Sequence, residues 1–305
     1  MNITITGSLG NIGRRLTKTL IAKGYRVTVV SHNHERAKEI EALQAIPAIG
    51  SLQDTDFLLR AFNEADAVYL MIPPDPAAND MRQYIRSMGE RYARVIATAG
   101  IRYVVNLSSI GAHLPAGAGP AGPNYYVEQT LNALSGTNVL HLRPGMFYTN
   151  FLGAINMIRY QNILGNNFDA SVNMVLSHPH DIADVAADAL DKLSFTGKSV
   201  RYIAGDEKNG SEIVQILGHA IDQPDLAWVN FTDEQMLKGM TQNGLTEEMA
   251  RVYILEIGKA LRENTLLDDY QRNKHEAYGT IHLKDFANEF AVAYQATSPA
   301  TLNAK

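Results

Sequence analysis

The chain has 305 residues, a formal net charge of −5 at pH 7 and no cysteine. Its length allows one large domain plus a smaller lobe, and the missing cysteine excludes disulfides, zinc–thiolate sites, iron–sulfur clusters and cysteine nucleophiles. The acidic balance argues against nucleic acid as a partner. No apolar run approaches the ~18 residues of a membrane span and the chain opens on a strand, so we expect a cytoplasmic protein without signal peptide or membrane segment.

A β-branched run opens the chain and leads into a glycine-rich turn and an amphipathic helix. Residues 2–6 predict a buried strand, and residues 7–13 follow it with the pattern G-x-x-G-x-x-G. Gly7 permits a tight turn, Gly10 lets backbone approach a pyrophosphate, and Gly13 lets the helix pack closely. Amides at the helix start would hold the phosphates. This pattern predicts a dinucleotide site with these contacts: Thr6, Gly7, Leu9, Gly10, Asn11, Ile12, Gly13.

Strands and helices continue to alternate through the N-terminal half. The predicted strands are 26–30, 45–49, 67–72 and 102–107, and the predicted helices are 34–43, 54–62 and 77–99. This alternation predicts an α/β fold of the Rossmann type, with a doubly wound parallel sheet. Ligands of such sheets bind beyond the carboxyl ends of the strands. Further cofactor contacts are therefore predicted at Ser51, Leu52, Met71, Ile72, Pro73, Leu107 and Ser108.

The end of the second strand should select the cofactor, because NAD-preferring sites carry an acidic residue there. This chain has Ser31 instead, followed by His32, His34 and Arg36, which can meet a 2′-phosphate. We therefore expect NADP(H) as the preferred cofactor, with NAD(H) as the alternative. The histidines and Arg36 could also be a solvated loop and helix start, and an inward-turned Glu35 would reverse the preference.

Two His-x-His pairs raise the question of a metal site. They are His32 with His34 and His178 with His180. Neither pair has a carboxylate or a third histidine at a recognised spacing, so no metal is expected.

Two segments are placed to border the nicotinamide. Residues 110–123 are rich in glycine, alanine and proline and predict a mobile lid, in which His113 is either a candidate acid or solvent-facing. A sixth strand at 138–143 ends at a turn that leads into an aromatic-rich helix predicted over 146–164. The aromatic stripe there is either core or a flat pocket. The predicted cofactor contacts are Pro144, Gly145 and Phe147, and the predicted substrate contacts are Phe147, Tyr148, Asn150, Phe151 and His113.

The predicted domains follow from this reading. Residues 1–150 with about 172–204 form the dinucleotide-binding domain, and residues 151–171 with 205–296 form a smaller, mostly helical substrate lobe. Residues 297–305 form a loose tail.

Four motifs in order resemble those of the NmrA-like atypical short-chain dehydrogenase/reductases: the glycine turn, Asn106 to Ser109, Leu142 to Asn150, and Asp181 to Val185. Within that group the chain is similar to NADPH-dependent quinone oxidoreductases and triphenylmethane reductases, and more distantly to redox-sensing regulators that bind NADP without turnover. The resemblance implies a phosphate-binding role for the turn. His32 departs from it, because many relatives carry an arginine there for the 2′-phosphate.

The catalytic pair of ordinary short-chain dehydrogenases is missing. Those enzymes use Tyr-x-x-x-Lys, in which lysine lowers the tyrosine pKa, but here Gln129 follows Tyr125 and Thr130 follows Tyr126. By resemblance, Asn124 stands where the quinone and dye reductases show histidine. Direct hydride transfer to a quinone or conjugated dye does not require that pair. The candidate catalytic residues are Ser108, Tyr125 and Tyr126, each of which could instead serve packing or close a strand.

Two functions follow from the sequence. The first is an NADPH-dependent oxidoreductase that reduces a quinone-like or conjugated small-molecule acceptor. The alternative is a non-catalytic, NADP(H)-sensing regulator of the NmrA type that binds a protein partner. A homodimer is compatible with either function. A sugar-nucleotide epimerase ranks last, because it needs the same missing tyrosine and lysine.

Overall fold

The computed structural model describes residues 1–75, 78, 80–242 and 244–296. The predicted tail at 297–305 and the predicted helix start at residue 77 lie outside the described residues. The strands are β1 (Asn2–Ile5), β2 (Arg26–Ser31), β3 (Ile46–Ile49), β4 (Ala67–Leu70), β5 (Tyr103–Leu107), β6 (Asn138–Pro144), β7 (Met146–Phe147), β8 (Ile163–Asn166), β9 (Asn173–Ser177), β10 (Lys198–Ile203), β11 (Asp206–Asn209) and β12 (Ala227–Asn230).

The helices include several short ones in the C-terminal third. They are α1 (Gly13–Ala22), α2 (Arg36–Ala42), α3 (Thr55–Phe62), α4 (Met81–Ala99), α5 (Gly122–Asn132), α6 (Ile155–Gln161), α7 (Pro179–Lys192), α8 (Gly210–Ala220), α9 (Asp233–Gln242), α10 (Glu247–Ala250), α11 (Ile257–Arg262), α12 (Asp268–Asn273) and α13 (Leu283–Ala296). Within the described residues, no helix combines the length and the apolar character that crossing a membrane requires.

The first of two compact units comprises residues 1–116, 120–143 and 182–202. It is built on a seven-stranded parallel sheet with the order β10-β6-β5-β4-β1-β2-β3. The reversal of strand order at β1 and β4 is that of a doubly wound sheet, so the predicted fold class is confirmed. Every residue of β4 is buried, as expected for a central strand covered on both faces.

Local sequence signals place the helices of this unit. Asp54 caps α3 by accepting a hydrogen bond of 3.0 Å from the Phe57 amide. Asp80 caps α4 in the same way through the Gln83 amide. Gly100 ends α4 in the left-handed conformation with φ of 68°.

Among the described residues, the second unit comprises 117–119, 144–181, 203–242 and 244–296. It contains a three-stranded sheet with the order β11-β9-β7 and a parallel pair of β12 with β8. Helices still make up most of its regular structure, as predicted. Residues 144–150, 172–181 and 203–204, which the predicted boundaries place with the nucleotide domain, lie in this compact unit.

The prediction of a single helix over 146–164 is wrong. The segment instead forms β7, a 3-10 stretch at Tyr148–Ala154, α6 and then β8. β7 pairs with β9, which commits the segment's first residues to a sheet. Asn162 then ends α6 in the left-handed conformation with φ of 53°.

Candidate functional site

Packing explains two of the three glycines in the turn after β1. Gly7 has φ of +92°, and a Cβ there would lie 3.0 Å from Met71 Cε. A Cβ at Gly13 would lie 2.0 Å from the Ser8 carbonyl oxygen, which backbone cannot accommodate. Glycine is therefore required at both positions by the folded chain itself.

Gly10 has no such structural reason. A Cβ there would meet only the Gly7 carbonyl oxygen, at the ordinary contact distance of 3.6 Å. In the described part of the chain, the space beside the Gly10 backbone is therefore free of other protein atoms, and it is there that a diphosphate approaches in dinucleotide-binding folds.

The start of α1 suits an anion. No side chain caps it, and its first turn contains no acidic residue. By contrast, α3, α4 and α8 are capped by Asp54, Asp80 and Asn209. An uncapped helix start leaves backbone amides and the positive end of the helix dipole available to a phosphate. Gly10 and the amides that follow it therefore fit the diphosphate of a nicotinamide nucleotide.

Hydrogen bonds fix the turn on the neighbouring strands. Thr6 Oγ1 accepts a 2.7 Å bond from the Met71 amide and lies 3.1 Å from the Met71 carbonyl oxygen, and its side chain is fully buried. The Ser8 amide donates to the Val30 carbonyl oxygen, and Ser8 Oγ donates to Ser31 Oγ at 3.0 Å. The Thr6 hydroxyl thus joins β1 to β4, and the turn is tied to the end of β2.

The loop after β2 presents its basic residues to solvent. His32 and His34 are exposed, as is Glu35, which directly precedes α2. Arg36 Nη1 lies 2.8 Å from Glu39 Oε2 and is half-buried. In this structure Glu35 does not turn inward, which leaves the basic residues of the loop to meet a ligand.

The ends of β3 and β4 lie in the same unit as the glycine turn. Ser51 is exposed, and its Oγ accepts a 3.1 Å bond from the Gln53 amide; Leu52 is half-buried. Met71, Ile72 and Pro73 are half-buried, and the Met71 side chain lies beside Gly7 of the turn.

A buried ionic network lies at the end of β5. Ser108 Oγ donates a 2.5 Å hydrogen bond to Glu128 Oε1, which also accepts a 2.9 Å bond from Arg143 Nε. Arg143 Nη2 bonds Glu128 Oε2 at 2.6 Å, and Arg143 Nη1 bonds the Tyr202 hydroxyl at 3.1 Å. Burial alone would lower the Arg143 pKa, but its bonds to Glu128 raise it overall. The Ser108 proton is committed to Glu128, so toward any ligand Ser108 offers lone pairs rather than a proton.

Sequence reasoning missed Glu128 and Arg143. The available signal was a charged residue among apolar ones, since Glu128 lies between Val127 and Leu131 on α5 and Arg143 lies between Leu142 and Pro144 at the end of β6. Charged residues in such runs are buried only when they are paired.

The candidate tyrosines at the start of α5 are half-buried. The rings of Tyr125 and Tyr126 meet edge to face at 5.2 Å. The Arg86 guanidinium lies 3.7 Å from the Tyr126 ring centroid, which is a cation–π contact. Packing therefore accounts for much of the Tyr126 ring. Asn124 donates to the Pro120 carbonyl oxygen at 3.4 Å.

The chain's one Tyr-x-x-x-Lys sequence does not form a catalytic pair. Tyr270 and Lys274 lie in the second unit, where the Tyr270 hydroxyl donates to Glu207 Oε1 at 3.0 Å and Lys274 Nζ lies 3.4 Å from the same oxygen. Burial and the bond to Glu207 raise the Tyr270 pKa, whereas a catalytic tyrosine needs a lowered one.

Tyr148 belongs to the core of the second unit, and its predicted contact with substrate stays a prediction. Its side chain is fully buried, its hydroxyl bonds the Ile281 carbonyl oxygen at 3.1 Å, and its ring stacks on Phe286. Burial raises its pKa. Phe151 is also buried, at 6 % exposure, which leaves little of its ring for a ligand.

The remaining candidates of the second unit differ in exposure. Phe147 is half-buried and Asn150 is exposed, whereas Pro144 and Gly145 are buried. The Gly145 amide bonds Ser177 Oγ at 2.9 Å, and a Cβ at Gly145 would lie 2.4 Å from the Val175 carbonyl oxygen. Close packing on β9 therefore explains this glycine.

The segment predicted as a lid, residues 110–123, is partly packed. Ala112 and Ala118 are fully buried, and a Cβ at Gly119 would lie 2.5 Å from the Val252 carbonyl oxygen. The small residues of this segment thus do contribute to cores. His113 is half-buried, and the mobility of the segment stays a prediction.

Among the residues that the structure describes, no three His, Asp or Glu side chains are arranged to hold a metal ion. The His178 and His180 rings are 4.5 Å apart, but His178 Nδ1 accepts a 3.1 Å bond from the His180 amide.

The chain is similar to several reductases. It is 25 % identical over 252 residues to an NAD(P)H azoreductase of Xenophilus azovorans, covering 81 % of this chain and 83 % of the relative. Among solved structures, an Escherichia coli NADPH-dependent quinone oxidoreductase complexed with NADPH aligns with a TM-score of 0.76 at 18 % identity, covering 94 % of this chain and 99 % of that one. A Citrobacter sp. triphenylmethane reductase complexed with NADP(H) aligns with a TM-score of 0.79 at 15 % identity, covering 95 % and 99 %.

A family match covers the part of the chain that holds the glycine turn. It extends over residues 7–192, which is more than half of the sequence, and includes Gly7, Gly10 and Gly13. It agrees with the predicted nucleotide-binding fold and with the open backbone at Gly10. This protein belongs to the NAD(P)H-binding family.

Proposed function

We propose that this protein is an NAD(P)H-dependent reductase that prefers NADPH and passes hydride directly to a quinone-like or conjugated acceptor. The observation that carries the proposal is the uncapped start of α1 beside open backbone at Gly10. The cofactor, when bound, supplies the hydride. The azoreductase, quinone oxidoreductase and triphenylmethane reductase among its relatives support an acceptor of this class. We place the protein in the cytoplasm, where NADPH is available.

Hydride transfer to such an acceptor requires little from the protein beyond positioning the cofactor and the acceptor. A quinone takes up a hydride and a proton, and water can supply the proton, so a dedicated tyrosine–lysine pair is unnecessary. We propose Ser108 as a hydrogen-bond acceptor, because its own proton bonds Glu128. Tyr125 and Tyr126 are the candidate donors, and Phe147 with Asn150 are the candidate acceptor contacts of the second unit.

The test is rapid mixing of the purified protein with NADPH and a panel of quinones and conjugated dyes. Loss of the reduced-nicotinamide absorbance with at least one acceptor supports the proposal. A panel that stays inert, with a protein that binds NADPH normally, contradicts it. Gly10→Asp serves as the inactive control, because it removes the nucleotide site.

A second candidate function is an NADP(H)-sensing regulator. The residues of α5 favour it, because Gln129 and Thr130 stand where the catalytic lysine would be. By the resemblance to quinone and dye reductases, Asn124 also takes the place of a histidine. Affinity capture of partners in the presence of NADP⁺ or NADPH separates the two functions. A partner that is retained with only one redox form supports sensing, and a partner that ignores the cofactor contradicts it.

A further inference from the structure

Glu39 joins two arginines near the end of β2. Arg14, the second residue of α1, and Arg36, the first residue of α2, both bond the same carboxylate oxygen, Glu39 Oε2. Two donors that share one acceptor lie within about 6 Å of each other. The three side chains therefore form an anion site between two guanidinium groups, and a carboxylate of the chain itself occupies it.

The site lies beside the loop that should select the cofactor. Arg14 directly follows Gly13 of the phosphate turn, and Arg36 directly follows the loop of His32 and His34. Ser8 and Ser31 hold the turn and the end of β2 together by their hydroxyl groups. The loop offers no acid in place of Ser31, so the ribose end of a dinucleotide would meet these arginines rather than a carboxylate of β2.

The internal ion pairs are weak enough to be exchanged. The side chains of Arg14, Arg36 and Glu39 are 42 %, 39 % and 46 % exposed, and exposed pairs contribute little to stability. The hydrogen bond from Arg14 lowers the Glu39 pKa, so Glu39 is ionised at neutral pH. A 2′-phosphate carries more charge than a carboxylate and can bond both guanidinium groups.

On the basis of the function proposed above, we propose that Glu39 limits the preference for NADPH over NADH by competing with the 2′-phosphate for Arg14 and Arg36. With NADH, Glu39 continues to neutralise Arg14 and Arg36, so both arginines stay paired. With NADPH, the 2′-phosphate must displace the Glu39 carboxylate from Arg14 and Arg36. It then lies close to the negative charge of Glu39. Glu39 thus weakens NADPH binding and leaves NADH binding almost unaffected.

Glu39→Gln tests this directly. Calorimetric titration with NADP⁺ and NAD⁺ should show NADP⁺ binding tightened by about three- to tenfold, as expected for removing one charge at this distance in a solvent-exposed site, with NAD⁺ changed by less than about twofold. Glu41→Gln is the matched control. It removes the same charge from the same helix, but Glu41 is not a partner in the described Arg14 and Arg36 ion pairs.

Arg14→Gln and Arg36→Gln should each weaken NADP⁺ binding by about tenfold, the loss of one charge-assisted bond, and leave NAD⁺ binding in place. If Glu39→Gln weakens NADP⁺ binding, or changes both nucleotides equally, the inference is wrong while the proposed reductase stands. If the unaltered protein binds neither nucleotide, the proposed function fails and the inference fails with it.

Discussion

The buried pair of Glu128 and Arg143 gives the sharpest prediction for a single residue. Arg143→Met should lower the free energy of unfolding by about 3–5 kcal/mol, because it leaves the Glu128 carboxylate buried without its partner. The double variant Glu128→Gln with Arg143→Met should lose less than the two single losses added together. Urea unfolding of Arg143→Met, Glu128→Gln and the double variant measures the three losses. A loss below about 1 kcal/mol for Arg143→Met would show that the pair is not needed in the fold.

His141 makes stability depend on pH. Burial lowers its pKa from 6.5 to about 4, and its neutral ring lies between Asn106 Nδ2 at 3.1 Å and Asn132 Oδ1 at 3.0 Å. The unfolded chain binds the proton first as pH falls, so this stabilisation is complete above about pH 6.5 and is lost between there and about pH 4.

The expected loss over that range is about 3 kcal/mol, at 1.36 kcal/mol for each unit of pKa shift. Urea unfolding at neutral and at acidic pH should show a smaller pH dependence in His141→Gln than in the unaltered protein. Equal pH dependence in both proteins would assign the effect to other groups. The two proteins are compared by how steeply the free energy of unfolding changes with pH, because the substitution also changes that free energy by a constant amount at every pH.

The start of α1 gives the prediction at the scale of an element. Its amides have no capping side chain, so a bound nucleotide should protect residues 11–13 from hydrogen exchange. The start of α8 is the control. Asn209 and Glu212 already form a capping box there, so exchange should not change. Protection at α8 without protection at α1 would place the nucleotide elsewhere.

Elements that depend on local signals could be predicted, and those that depend on distant partners could not. The strand, turn and helix at residues 2–22 follow from β-branching, glycine spacing and an apolar stripe, all of which lie within the segment. The segment 146–164 has a helical stripe too, but β7 pairs with β9, about 30 residues away. No sequence pattern inside the segment predicts that its first residues pair with β9.

The same distinction applies to the candidate site. The glycine turn is contiguous in the sequence, so its conformation could be predicted there, and its contacts with a diphosphate stay a prediction. The bonds of Ser108 and Arg143 to Glu128 bring three separate elements together, so only the fold reveals that the Ser108 hydroxyl is already engaged. Tyr148 is an aromatic residue near a strand end, which in the sequence favours a contact with a ligand. Its hydroxyl instead bonds the Ile281 carbonyl oxygen within a core.

For the whole molecule, a nucleotide that binds only the native state must raise its stability. Saturating NADP⁺ at about 100 times its dissociation constant should add about 2.7 kcal/mol and raise the midpoint of thermal unfolding. At equal concentration NAD⁺ should raise the midpoint less, because it lacks the 2′-phosphate. Thermal scans measure both, and a larger shift with NAD⁺ would contradict the preference for NADP(H).

The most direct test is a calorimetric titration of NADP⁺ into the unaltered protein, Gly10→Asp and Gly239→Asp. Both glycines have room for a Cβ, and Gly239 lies on α9 of the second unit, so it is the matched control for a new charge in open space. We predict binding to the unaltered protein and to Gly239→Asp, and none to Gly10→Asp, because its carboxylate would lie where the diphosphate must. Undiminished binding to Gly10→Asp would contradict the assignment of the nucleotide to this turn.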